Sequence, residues 1–195
     1  MLKDVLKEWK MLIVIVICTS LVLLAINMGN NAENTINANN SNGTGNGTTT
    51  GATTVDKNVY NVSDDDKNFT KWLAMSSRLL SNDLDCIVKA AKNENFTDTE
   101  RCAKFLRENS DRALNNSDLH NNISANIVPV LDQYKDALKN YSLGGEFLEM
   151  GAKSKNATQM AIGSRYIDIA DKEVLRAKHI YNFIGIDNST EPIPN

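Results

Sequence analysis

The residues in this chain best suited to chemistry are asparagines in Asn-x-Ser/Thr sequons, where an oligosaccharide can be attached to the side-chain nitrogen. The 195-residue sequence has eleven sequons, all after residue 28, and none has proline in the middle position. Random order of the same residues would produce only about 4. Because N-linked glycan is added only outside the cytoplasm, the excess predicts that residues 29–195 are extracytoplasmic. The candidate acceptors are Asn39, Asn42, Asn46, Asn61, Asn68, Asn95, Asn115, Asn122, Asn140, Asn156 and Asn188.

Two of the three cysteines are placed to form a disulfide. Cys18 lies within an apolar run, whereas Cys86 and Cys102 lie near the facing ends of two predicted helices. An extracytoplasmic compartment permits a disulfide, and similar depth in an antiparallel hairpin would bring these two thiols together. We therefore predict a Cys86–Cys102 disulfide, with two buried free thiols as the alternative.

Other reactive residue types form no recognisable constellation. His120 and His179 are far apart and have no partner at helical spacing that would complete a metal site. The run Asp64–Asp66 lacks the Gly and Glu of a calcium loop, and no phosphate-binding or dinucleotide fingerprint is present. We predict no catalytic residue, no metal and no cofactor.

Four tyrosines could serve either of two purposes. Tyr134, Tyr141, Tyr166 and Tyr181 lie at core-like positions of two predicted helices. Core packing is the simpler interpretation of such spacing. The alternative is a small-molecule pocket between the third and fourth helices.

The N-terminal region predicts a membrane anchor. Residues 11–28 are predominantly apolar and carry no charge, and eighteen residues in a helix extend about 27 Å, enough for the hydrocarbon core. Three lysines precede this run, and the next Lys or Arg is Lys57, so residues 1–10 are predicted to be cytoplasmic. A cleaved signal peptide is the alternative, but the run is long and Ala25–Asn27 is a poor cleavage site.

Beyond the anchor, composition divides the chain into a linker, a domain and a tail. Residues 29–56 are mostly Gly, Asn, Thr, Ser and Ala and predict a disordered, glycosylatable linker. Residues 57–187 predict an extracytoplasmic helical bundle, and 188–195 a flexible tail. The fold class is therefore all-α: one transmembrane helix, a flexible linker and an antiparallel four-helix bundle.

Apolar spacing and capping signals place the four helices of the bundle at 64–92, 98–114, 123–154 and 157–184. Ser63 with Asp66 and Thr97 with Glu100 predict capping boxes. Pro129 either kinks the third helix or marks its first turn.

Small residues predict close helix packing. Gly163, Ala170 and Ala177 recur every seven residues on the fourth helix, and Gly145 and Ala152 do so on the third. An antiparallel hairpin would place these two rows opposite one another.

The layout resembles that of uncharacterised, membrane-anchored surface proteins of methanogenic archaea. The resemblance covers the lysine-bearing tail, the anchor, the sequon-rich linker and the Tyr/Gly/Ala segments YSLGGEFLEMGAKS and MAIGSRYIDIADKEVLRA. It implies a location at the cell surface and no assigned activity.

Charge and layout together predict a non-enzymatic role. The net charge is −3 and the pI about 5.4, without the basic face that nucleic-acid binding requires. We expect a single-pass cell-membrane protein with a cytoplasmic N-terminus, which contacts lipid through residues 11–28. It would act in envelope structure, adhesion or protein–protein contact, with a protein partner or as a homo-oligomer. The alternative is an extracytoplasmic ligand-binding or sensor module that works with a membrane partner.

Overall fold

The computed structural model describes residues 62–184, which form four helices packed against one another and no strand. Helix α1 is Asp64–Lys92, α2 is Phe96–Asn116, α3 is Val128–Ser154 and α4 is Ala157–Ile184, with a 3₁₀ turn at Ser117–His120. The predicted cytoplasmic tail, anchor, linker and C-terminal tail lie outside the described residues. Within 62–184, no helix has both the length and the apolar content to span a bilayer.

Helix α1 begins at the predicted capping box. The Ser63 hydroxyl accepts from the Asp66 backbone N–H at 3.1 Å, and an Asp66 carboxylate oxygen accepts from the Ser63 N–H at 3.0 Å. Both bonds satisfy donors that have no partner within the helix. The capping prediction is confirmed, and so are the bounds of this helix.

The predicted start of helix α2 is wrong by two residues. Asn95, not Thr97, is the N-cap residue, and its Oδ1 accepts from the Asp98 backbone N–H at 3.0 Å. Asn and Thr are both good N-cap residues, so the local sequence allows either start. The turn that ends α1 places Asn95 at the cap, with the Asn95 backbone N–H donating to the Ala90 carbonyl at 3.0 Å.

Helix α3 begins at Val128 rather than at residue 123, and Pro129 lies in its first turn without kinking it. The preceding segment forms a turn instead of a helix, and in this turn the Ile127 N–H donates to the Ser124 carbonyl at 2.8 Å. Proline suits the first turn because that backbone position needs no hydrogen-bond donor.

A tight turn joins α3 to α4. Lys155 ends α3 in the left-handed conformation, with φ of 51°. The Asn156 side-chain oxygen then accepts from the backbone N–H groups of Thr158 and Gln159, at 3.0 and 3.3 Å. Asn156 thus serves as the N-cap of α4 and satisfies two backbone donors of its first turn.

Consecutive helices pack antiparallel, and α3 and α4 pack most closely of all. Gly144 and Gly163 create this close approach, because a Cβ on Gly163 would lie 2.8 Å from the Gly144 carbonyl oxygen. Gly151 permits a similar approach, because a Cβ added at this position would lie 2.7 Å from the Met160 backbone nitrogen.

Gly145 was predicted to face the fourth helix, and this is wrong. A Cβ on Gly145 would lie 2.7 Å from the Ala103 carbonyl oxygen and 2.8 Å from the Arg107 backbone nitrogen, both on α2. Because Gly144 and Gly145 are consecutive, their positions lie about 100° apart around the helix axis. One therefore lets α4 approach, while the other lets α2 approach.

The buried apolar residues form two clusters. The larger one contains side chains from all four helices, including Leu84, Leu106, Tyr141 and Ile167. The smaller one lies at the end of the bundle where residues 62 and 184 are found. We call this end the base, and we call the opposite end, with the α1–α2 and α3–α4 turns, the tip.

Candidate functional site

The disulfide lies toward the tip and joins α1 to α2. Cys86 is half-buried and Cys102 is buried, and their Cα atoms are 5.6 Å apart, a separation typical of disulfides. Nearby, the Asn109 side chain donates to the Asp83 carboxylate at 2.7 Å. Burial raises the pKa of Asp83, and that hydrogen bond partly offsets the effect. The Cys86–Cys102 pairing predicted from the sequence is confirmed.

Six predicted glycan acceptors fall within the described residues. Five are exposed, and Asn140 alone is half-buried. Its side-chain nitrogen donates to the Asp136 carbonyl at 3.1 Å and to the Glu173 carboxylate at 2.8 Å. The exposed acceptors are Asn68, Asn95, Asn115, Asn122 and Asn156, while Asn39, Asn42, Asn46, Asn61 and Asn188 lie outside the described residues.

The four candidate pocket tyrosines have different surroundings. Tyr134 and Tyr141 are fully buried in the larger core cluster. Tyr166 is half-buried and stacks on Phe147, with ring centroids 5.6 Å apart. Tyr181 packs against the smaller cluster at the base. The structure therefore groups two of the four in the core and separates the other two.

The buried tyrosine hydroxyls bond to neighbouring helices. The Tyr134 hydroxyl lies 3.0 Å from the Ser76 hydroxyl and accepts from Ser77 at 3.2 Å. The Tyr141 hydroxyl donates to the buried Asp171 carboxylate. Burial raises the pKa of Tyr134, and burial together with the Asp171 charge raises that of Tyr141 well above the usual value. Both phenols therefore stay protonated and serve as core hydrogen-bonding groups.

Sequence reasoning missed a polar anchor at the base. Asp66 accepts from the Ser124 backbone N–H at 2.8 Å and from the Ser124 hydroxyl at 2.7 Å. Burial would raise the pKa of Asp66, but these bonds and those from Ser63 outweigh it and lower the pKa to about 2. This carboxylate fixes the α2–α3 connection to the start of α1.

Sequence reasoning also missed an aromatic cluster around His120. The imidazole lies 4.9 Å from the Trp72 ring and 5.8 Å from the Phe69 ring, measured between centroids. Burial lowers the pKa of His120, with the nearby Asp65 charge opposing it. His120 is thus half-buried and packs against these aromatic rings, whereas His179 is exposed.

A shallow, open groove of about 400 Å³ lies between α2 and α3. The Arg107 Nε donates to Glu149 at 3.0 Å, and the Ser142 hydroxyl donates to Asp111 at 2.6 Å. The bond to Glu149 is the main reason that the pKa of Arg107 is raised. The groove includes none of the four tyrosines.

Metal-ligating side chains do not converge anywhere in residues 62–184: no group of three or more His, Cys, Asp or Glu could hold an ion there. Comparison with known protein families, characterised proteins and solved structures finds no match for this chain.

Proposed function

We propose that this chain is a single-pass, membrane-anchored surface protein whose N-glycosylated helical bundle is held outside the cell by a flexible linker. Its role is in envelope structure, adhesion or protein–protein contact, and it carries out no catalysis. In layout it resembles surface proteins of methanogenic archaea, which would place it in an archaeal envelope. The observation that carries the proposal is the distribution of eleven sequons, all after the apolar run 11–28.

The disulfide supports the extracytoplasmic location. Cysteines 86 and 102 are paired, and they are the only two that follow the apolar run. Disulfides persist in oxidising compartments and are rare in the cytosol. Two independent sequence features, sequons and cysteines, therefore favour the same side of the membrane.

The surroundings of the polar side chains support a role in contact rather than chemistry. Asp66, Tyr134 and Tyr141 are buried and bonded to structural partners, so they are not available to a substrate. Apolar side chains are instead exposed on the outside of α3 and α4, with Leu143 at 37% and Ile169 at 42%.

The ligand-binding alternative has one structural observation in its favour, the groove between α2 and α3. Its charged lining, with Arg107, Glu149 and Asp111, would suit a small zwitterion. A small molecule retained by the purified chain, and lost in Arg107→Ala, would favour this function over adhesion.

Protease treatment of intact cells tests the main proposal. We expect external protease to remove the bulk of the chain and leave a fragment containing residues 1–28 in the membrane. Deglycosylation should reduce the apparent mass of the untreated protein, and lysed cells provide the control for protease access. A chain that is protected in intact cells, cleaved only after lysis and free of glycan would refute the proposed location.

A further inference from the structure

The six sequons in the described domain differ in what the fold leaves available to a glycosyl transferase. The motif requires an amide nitrogen on Asn and a hydroxyl two residues later. An enzyme that modifies the folded chain must reach both groups. The hydrogen bonds of each sequon therefore show which acceptors remain open after folding.

In four of the sequons the hydroxyl already donates a hydrogen bond within the domain. Thr70 donates to the Asp66 carbonyl at 2.9 Å and Ser117 to the Leu114 carbonyl at 2.6 Å. Ser124 donates to the Asp66 carboxylate at 2.7 Å. Ser117 is also fully buried. Folding thus closes the sequons that begin at residues 68, 115 and 122.

In the sequon at Asn140, both of the required groups already form hydrogen bonds. The hydroxyl of Ser142, two residues later, donates to Asp111 at 2.6 Å on one side of α3. The Asn140 side-chain nitrogen donates to Glu173 at 2.8 Å on the other side. Modification in the folded state would require both bonds to break within a 27-residue helix.

In the sequon at Asn95, the hydroxyl residue Thr97 is accessible, but the Asn95 side-chain nitrogen forms a hydrogen bond. Thr97 is exposed, while the Asn95 nitrogen donates to the Asp98 carboxylate at 2.6 Å. A bond to a charged acceptor is stronger than one to a neutral acceptor. This acceptor is therefore partly closed.

Asn156 differs from the other five. Both Asn156 and Thr158 are exposed. The Asn156 oxygen is tied to the first turn of α4 by the N–H groups of Thr158 and Gln159. Because oxygen and nitrogen branch from the same planar amide carbon, this cap directs the nitrogen away from the helix. Within the described residues, neither that nitrogen nor the Thr158 hydroxyl has a hydrogen-bond partner.

From this comparison we propose that Asn156 is the sequon of the described domain that accepts glycan after folding, and that the glycan covers the tip of the bundle. The inference rests on the proposed extracytoplasmic function. The donor is a lipid-linked oligosaccharyl phosphate. The Asn156 nitrogen forms a bond to the anomeric carbon and releases one of its two protons, and the bond from that carbon to the phosphate oxygen breaks, with the phosphate keeping the electron pair. The capping oxygen takes no part, so α4 keeps its N-cap.

The test uses the full chain, made without glycan, then folded and oxidised. It is incubated with membranes containing oligosaccharyl transferase and the lipid-linked donor, and occupancy is measured by peptide mass spectrometry. Breaking one hydrogen bond to free an acceptor corresponds to about a tenfold penalty. We expect Asn156 to be modified roughly tenfold or more faster than Asn68, Asn115, Asn122 and Asn140.

Matched variants separate the acceptor chemistry from folding. Thr158→Ala removes the hydroxyl but leaves the N-cap oxygen of Asn156, and it should abolish transfer there, whereas Thr158→Ser should retain it. Asp98→Ala should raise transfer to Asn95. Glu173→Ala should leave transfer to Asn140 slow, because Asp111 still holds the Ser142 hydroxyl.

The inference fails if any of those four slower sequons is modified as fast as Asn156 in the folded chain. It also fails if Asn156 is unmodified while a synthetic Asn-Ala-Thr peptide is glycosylated in the same reaction. The proposed function fails on a different result: no glycan at any of the eleven sequons in protein isolated from its native membranes.

Discussion

Replacing Asp66 by Asn should destabilise the fold in a way that depends on pH. The two carboxylate oxygens accept hydrogen bonds from the N–H and hydroxyl of Ser124 and from the N–H of Ser63, at distances of 2.7 to 3.0 Å. Asn is almost the same size but offers one accepting oxygen and no charge. The variant therefore keeps the shape of the site and loses the charge-assisted bonds.

The pKa of Asp66 sets the expected magnitude. It is about 2 in the folded chain and 3.8 for the ordinary side chain, which corresponds to about 2 kcal/mol of folding free energy. Because the folded pKa is the lower one, this stabilisation is present above about pH 4 and is lost as the pH falls toward 2. At neutral pH we expect Asp66→Asn to be less stable than the wild type by about 2 kcal/mol.

Urea unfolding of the purified chain between pH 2 and pH 7, followed by circular dichroism, measures the difference. The gap between wild type and Asp66→Asn should be largest at neutral pH and should close near pH 2. Asp65→Asn is the matched control, because it removes an exposed carboxylate from the same helical turn. A gap that stays constant across the pH range, or an equal effect in the control, would show that the Asp66 hydrogen bonds do not stabilise the fold.

Three further changes test other contacts by the same urea measurement. The double variant Cys86→Ser with Cys102→Ser should lose about 3 kcal/mol, the value for a loop of this size, and reduced wild type should unfold at the same urea concentration; a fully reduced chain of unchanged stability would contradict this. Gly163→Ala should lose about 1–3 kcal/mol despite its better helix propensity, because the added methyl would lie 2.8 Å from a backbone oxygen of the facing helix; a stabilised variant would mean that α3 and α4 separate at little cost. Tyr134→Phe should cost about 1–2 kcal/mol because the buried Ser77 hydroxyl loses its acceptor, whereas Ser76 still donates to the Trp72 carbonyl at 2.8 Å. Tyr181→Phe, whose hydroxyl lies 3.4 Å from one threonine hydroxyl, should cost clearly less, and equal losses would argue against the buried tyrosine bond.

The helices could be predicted because their ends are defined by local chemistry. Ser63 and Asn156 bond to backbone groups two or three residues away, so the signal is contained in a few neighbouring letters. The disulfide could be predicted for a similar reason, since 16 positions separate its cysteines. The start of α2 was missed because two acceptable caps, Asn95 and Thr97, lie in the same short segment.

Contacts between distant segments could not be predicted in this way. Asp66 and Ser124 are 58 positions apart, and helical periodicity contains no information about which loop will meet which helix end. Gly144 and Gly145 show the same limit at closer range. The sequence indicates only that both are small residues near a helix–helix interface, but a rotation of about 100° per residue directs them to different neighbouring helices. Only the packed structure assigns each glycine to its helix.

The position of both described termini at the base determines how the bundle would respond to mechanical load. A force that separates residues 62 and 184 would first break the few contacts between α1 and α4 at the base, among them the Thr70–Tyr181 contact, and would then peel α1 from α2. Peeling breaks contacts one after another and needs less force than sliding whole helices past each other. Once α1 has unwound as far as Cys86, the covalent link to Cys102 would transfer tension directly to α2, and the stretch of chain between these cysteines would never extend.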